Sequence, residues 1–154
     1  MTAVAMMIDN NNLTLPHLSV IISADKVGRF ATVLQAGFTL TAIKNSNLSS
    51  FLENLPGFTE DYIRNRLQTV FLNGDALDDF DIPFSAETCV LALSAAMPGL
   101  AGAIFRKASP AAGLRKTAVR QQSSEEKSNT TVLVKYFNDI ALEKGPEALA
   151  QGIM

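Results

Sequence analysis

The sequence predicts an α+β protein organised on a mixed sheet, and three features predict it. Residues 69–102, TVFLNGDALDDFDIPFSAETCVLALSAAMPGLAG, read as strand, Asn-Gly reversal, acidic link, second strand and glycine-bearing tail. Short β-rich runs alternate with stretches at helical spacing along the chain. A composition of 47% hydrophobic and 18% charged residues over 154 positions belongs to one folded unit with its own core.

Residues 1–17, polar at 9–12 and interrupted by Pro16, read as a flexible leader. LSVIIS at 18–23 is a β-rich run suited to a strand buried on both faces. Residues 25–36 place Phe30, Val33 and Leu34 at helical spacing with Gly37 set to end the helix. RFATVLQ within it also fits a strand, and helix is the reading taken. FTLTAI at 38–43 alternates and is expected to pair with 18–23. Asn47 is expected to cap a short helix whose Leu48, Phe51, Leu52 and Leu55 recur at i, i+3, i+4 and i+7, and Pro56-Gly57 ends it. Thr59 caps the next helix, with Glu60 and Asp61 at its positive end and Arg64 and Arg66 towards its negative end.

A third strand is expected at 69–72, and Asn73-Gly74 turns it because both residues tolerate positive φ. Leu77, Phe80, Ile82 and Phe84 then anchor an acidic covering link with a short edge strand. An interior strand follows at 89–93. Residues 106–129 form a basic and polar loop, and TTVLVKYF at 130–137 returns to the same sheet as a strand. A helical turn over 138–144 is expected to stop at Gly145-Pro146. The domain is thus 18–105, with a C-terminal strand-helix element at 130–154.

The order strand, helix, strand, short helix, strand, Asn-Gly turn, acidic-apolar link, strand resembles the ubiquitin-like β-grasp over roughly 18–102. FLNGDALDDFDIPF followed by AETCVLAL looks like the matching segment of the sulfur carriers, the small subunit of molybdopterin synthase and the thiamin sulfur carrier. The resemblance implies a β-grasp mixed sheet, here with a C-terminal strand-helix extension. It also implies a slender Gly-Gly end that a partner adenylates and converts to a thiocarboxylate. This chain departs there: after the last strand it reads Ala96-Met97-Pro98-Gly99-Leu100-Ala101-Gly102, without adjacent glycines, and continues. Carriage would require processing after Gly99 or Gly102.

Cys89 is the only cysteine and His17 the only histidine, which excludes an internal disulfide and leaves no zinc-ligand set. A reducing, cytoplasmic setting is expected. The N-terminus lacks the basic start of a secretory signal. Residues 88–105 are uncharged, but Pro98, Gly99 and Gly102 break them, so no membrane span is expected. No Walker loop, dinucleotide turn or G-x-S-x-G elbow occurs, and neither catalytic residue nor cofactor is assigned.

Asp75, Asp78, Asp79 and Asp81 miss the spacing of a calcium loop, with Phe80 where that loop needs glycine, so no metal is assigned. Residues 1–105 carry 5 basic and 10 acidic side chains, against 8 and 5 thereafter. The basic excess sits at Arg106, Lys107, Arg115, Lys116 and Arg120. These lack interleaved aromatics for base stacking, and with a pI near 5.3 a nucleic-acid partner is not expected.

The expected function is a non-catalytic accessory or protein-binding module. Met97, Pro98, Gly99, Leu100, Gly102, Ile104 and Phe105 are its expected partner-binding segment, an apolar extension entering a groove or pairing along a sheet edge. The alternatives are a sulfur-carrier-like substrate protein and a small enzyme or ligand-binding protein with a scattered site drawing on His17 and the acids at 75–81. A free strand edge also admits a homodimer.

Overall fold

The computed structural model describes residues 4–7, 17–21, 23–115 and 129–151. In chain order the elements are β1 (Val4–Met7), β2 (His17–Val20), a 3-10 helix (Ala24–Phe30) running into α1 (Ala31–Ala36), β3 (Phe38–Ile43), α2 (Leu48–Glu53) and α3 (Glu60–Asn65). There follow β4 (Thr69–Leu72), β5 (Asp75–Ala76), β6 (Thr88–Ser94), α4 (Gly99–Phe105), a 3-10 turn (Ala112–Leu114), β7 (Asn129–Phe137), α5 (Asn138–Glu143) and α6 (Gly145–Ala150).

Five strands form one sheet in the order β3-β7-β6-β4-β5. β6 and β7 run parallel while the other neighbours are antiparallel, so the sheet is mixed, as expected. β6 is interior, also as expected. The pairing expected for 38–43 is corrected: β3 lies against β7, and β2 instead pairs with β1, inside the expected leader, as a separate two-stranded sheet. Chain adjacency suggested the wrong neighbour because burial decides sheet position. In β7 Thr130, Val132, Val134 and Tyr136 are all buried on one face, a run long enough to be paired on both edges.

That face, with Phe38 and Ala42 of β3 and Cys89, Leu91 and Leu93 of β6, meets Leu48 and Leu52 of α2, Ile63 of α3, Leu34 of α1 and Ile140 of α5 in a single core. Tyr136 packs edge-on against Phe38 at 5.2 Å and tilted against Phe58 at 5.6 Å. Its burial pushes the phenol pKa well up. On the opposite face Thr39, Thr41, Thr88 and Thr131 are exposed.

One local expectation is extended and another corrected. The helical turn from 138 ends at Glu143, before Gly145-Pro146, as expected; the same pair also opens α6, because proline in the first helical turn forfeits no intrahelical bond. Asn47 holds the position before α2 without capping it through its side chain. The first free N–H groups, Leu48 and Ser49, donate instead to the carbonyls of Ile82 and Phe80 at 2.9 and 3.0 Å. The acidic link thus supplies the cap, and the Asn47 amide donates to Asp81. Thr59 does cap α3, accepting from the Tyr62 N–H at 3.2 Å.

The Asn73-Gly74 reversal forms as expected, with φ of 54° and 91° and Leu72 opposite Asp75. Asn73 also stitches the turn to the interior strand. Its N–H donates to the Val90 carbonyl and its Oδ1 accepts from the Val90 N–H, both at 2.8 Å.

Candidate functional site

Downstream of β6 the apolar segment proposed to meet a partner is a helix, not an extended tail. Pro98 precedes α4, and the Gly102 N–H reaches back to the Pro98 carbonyl at 3.4 Å. Gly102 is buried with its Cα against the Met97 carbonyl, where a Cβ would stand 1.7 Å from the oxygen. The turn therefore closes only around a residue without a side chain. Phe105 lies half-buried on Phe71, ring centroids 5.3 Å apart.

Met97 and Ile104 are half-buried, while Pro98, Gly99, Ala101 and Ala103 are exposed and Leu100 is 74% exposed. The 112–114 turn touches α4 and presents Leu114, 75% exposed. The segment thus divides into an anchoring side, Gly102 and Phe105, and an outward ridge led by Leu100.

The basic residues that follow do not form one solvated patch among the described residues. Lys107 turns inward, donating from Nζ to the carbonyls of Ile63 and Arg64 at 3.0 and 2.6 Å and lying 5.6 Å over the Phe80 ring. It caps the C-terminal end of α3, and burial lowers its pKa. Arg115 is only 5% exposed at its side chain. It donates to the Ile104 carbonyl at 2.6 Å, to the Arg106 carbonyl, and to Asp78 Oδ2 at 3.0 Å. Arg106 is exposed, and Lys116 and Arg120 lie outside the described residues.

Two cations read from sequence as part of a basic, polar loop are therefore fasteners, holding the chain after α4 to α3 and to the acidic link. The sequence signal was present in the acids. Asp78 also accepts from the Ala108 N–H at 2.7 Å, and Asp79 accepts from the Asp81 N–H at 2.9 Å. The acids are pegs of the link. Among the described residues no three His, Cys, Asp or Glu side chains gather as a metal site. The backbone of His17 lies in β2, and its side chain lies outside the described set. Cys89 is 1% exposed, in the core as expected. No helix among the described residues is long and apolar enough to cross a membrane.

A cluster that sequence reading missed joins α3 to α5. Arg66 donates to both oxygens of Glu143, from Nε at 3.0 and 3.1 Å, and to Asp139 at 2.9 Å. The Tyr62 hydroxyl donates to Glu143 at 2.6 Å, and the Lys144 ammonium sits 4.3 Å over the Tyr62 ring. The legible signal was the i, i+4 pair Asp139 and Glu143 on one helix face; nothing in sequence pointed that face at Arg66.

The Arg66 hydrogen bonds hold the Glu143 carboxyl below its ordinary 4.5; burial opposes this and the Tyr62 hydroxyl adds to it. Burial and then the Glu143 bond push the Tyr62 phenol up. A carboxyl depressed in the folded state contributes stability that is complete above its unfolded pKa and lost as pH falls through the folded one. Because the side chains are partly exposed, the contribution is at most about 1 kcal/mol. Hydrogen exchange across 138–150 is expected to quicken as pH is lowered below about 4.5, corrected for intrinsic rates. In Glu143→Gln that added step is absent; an unchanged step assigns it to another group.

Comparison with protein-family models, with curated proteins and with solved structures returns no match for this chain.

Proposed function

We propose that the chain is a non-catalytic protein-binding module whose contact surface is the ridge formed by Pro98 and by Leu100, Ala101 and Ala103 of α4, with Leu114 on the neighbouring turn. The supporting observation is the exposure of two large aliphatic side chains, Leu100 and Leu114, on neighbouring elements fastened from behind by Gly102, Phe105 and Arg115. An apolar ridge gains affinity when a partner covers it, and holding it rigidly lowers the entropy lost on binding. Arg106, exposed at the end of α4, supplies a rim charge that steers an acidic partner.

We also read the sheet as β-grasp in type. In favour stand the mixed pairing, the interior position of β6, the Asn73-Gly74 reversal into a two-residue edge strand, and helices α2 and α3 on one face. The parallel neighbour of β6 is then β7, from the C-terminal part of the chain, so 129–137 belongs to the core sheet. Sulfur carriage would need α4 to be released and the chain ended at Gly99 or Gly102, and the binding module is preferred because α4 is packed at Gly102.

The reading is tested by quantitative affinity capture from the native source with wild type, Leu100→Asp and Leu142→Asp. Leu142, 58% exposed on α5, is the control for an apolar-to-acidic change away from the ridge. Specific partners are expected to fall at least about tenfold in Leu100→Asp and to persist in Leu142→Asp. Equal retention by folded Leu100→Asp overturns the proposal.

A further inference from the structure

The two edges of the five-stranded sheet are treated differently. One ends in β5, only two residues long and followed by Asp78, Asp79 and Asp81, a short acidic edge that discourages pairing. The other is β3, six residues, FTLTAI, with no charge, proline or bulge. Alternate residues of β3 direct backbone N–H and C=O away from β7, and among the described residues no backbone group meets that side between Phe38 and Ala42. Beside the edge, under α2, runs a groove of about 460 Å3 lined by Leu40, Ala42, Ser50, Phe51 and Asn54, among others, with no charged residue in its wall.

We infer that this edge is a homodimer interface, the occupant of the groove being β3 of a second copy paired antiparallel about a two-fold axis through Leu40. A two-fold axis brings any group near it against its own copy, so charges there repel, and a charge-free strand and groove meet that condition. The register is complementary at each position. Leu40 meets Leu40 under α2, Phe38 lies opposite Ala42, large against small, and Thr39 lies opposite Thr41 on the exposed face. Lys44, the first charge beyond the strand, falls opposite Ala36 and not its own copy. The partner's Leu40 covers half-buried Phe51, and the two sheets become one of ten strands. This surface is separate from the α4 ridge.

The test is sedimentation equilibrium of the full chain over a wide concentration range. Wild type is expected to show a monomer–dimer equilibrium. T39K/T41K places lysines opposite one another at two symmetric positions and is expected to weaken the dimer roughly tenfold or more. T39K/T41E puts opposite charges across the same positions and is expected to restore dimerisation, which also shows that charged residues on this exposed face leave the fold intact. Leu100→Asp is expected to dimerise as wild type. A wild type that remains monomeric overturns the inference, as does a dimer indifferent to T39K/T41K. Equal weakening in both double variants overturns the register, and a dimer lost only in Leu100→Asp moves self-association to the ridge.

Discussion

Phe84→Ala is expected to lower the unfolding free energy by about 3–5 kcal/mol, the range for removing a fully buried aromatic ring. Phe84 has no exposed surface and meets Phe51 of α2 edge-on at 5.2 Å. Its backbone is part of the same latch. The Phe84 carbonyl accepts from the Asn45 N–H at 2.9 Å, and its N–H donates to the Ser46 carbonyl at 3.1 Å. Removing the ring leaves a cavity between the acidic link and α2, and loosens the link carbonyls that cap that helix. A urea titration followed by circular dichroism measures the loss, with Phe80→Ala, half-buried, as the milder comparison. A loss under about 1 kcal/mol would mean that the link does not carry core packing.

Gly102→Ala is the second large effect, and it acts on the backbone. The added methyl would overlap the Met97 carbonyl, which cannot yield as a flexible side-chain end does, so the turn from 97 to 102 must open. The expected cost is about 1–3 kcal/mol or more, appearing first as faster hydrogen exchange across 97–107, where Phe105 and Lys107 lose their seats on Phe71 and α3. Ala103→Ser, one residue on and exposed, is expected to stay within about 0.5 kcal/mol of wild type. Partner capture through Leu100 should weaken in Gly102→Ala although no contact residue has changed, because the ridge is no longer preorganised. Unaltered exchange across 97–107 would contradict the packing role given to Gly102.

The candidate surface was partly legible in the sequence. Residues 97–105 stood out as apolar and uncharged after a buried strand, and the exposed Leu100 lies among them. Their helical form was hidden by Pro98, Gly99 and Gly102, which read as breakers. Proline before the first turn and glycine at a close backbone approach are compatible with a helix, and only the neighbouring Met97 carbonyl shows why Gly102 is there. Arg115 and Lys107 read only as members of a basic, polar loop, because charge runs usually face water. Their burial depends on carbonyls and an aspartate far away in sequence, which no local pattern encodes.

What the sequence determined by itself was local: β3, β4, β6 and β7 from alternating or β-branched runs, the Asn73-Gly74 reversal from its positive-φ residues, α2 from apolar spacing, and α3 from its Thr59 cap and the charges at its two ends. Each of these rests on the φ/ψ preference, the period or the end groups of one segment. The tertiary structure alone decided that β3 neighbours β7, that β7 lies inside the sheet, that the acidic link caps α2, and which cations turn inward. Those outcomes depend on which buried faces meet, and the free energy of that choice resides in contacts between residues far apart in the chain.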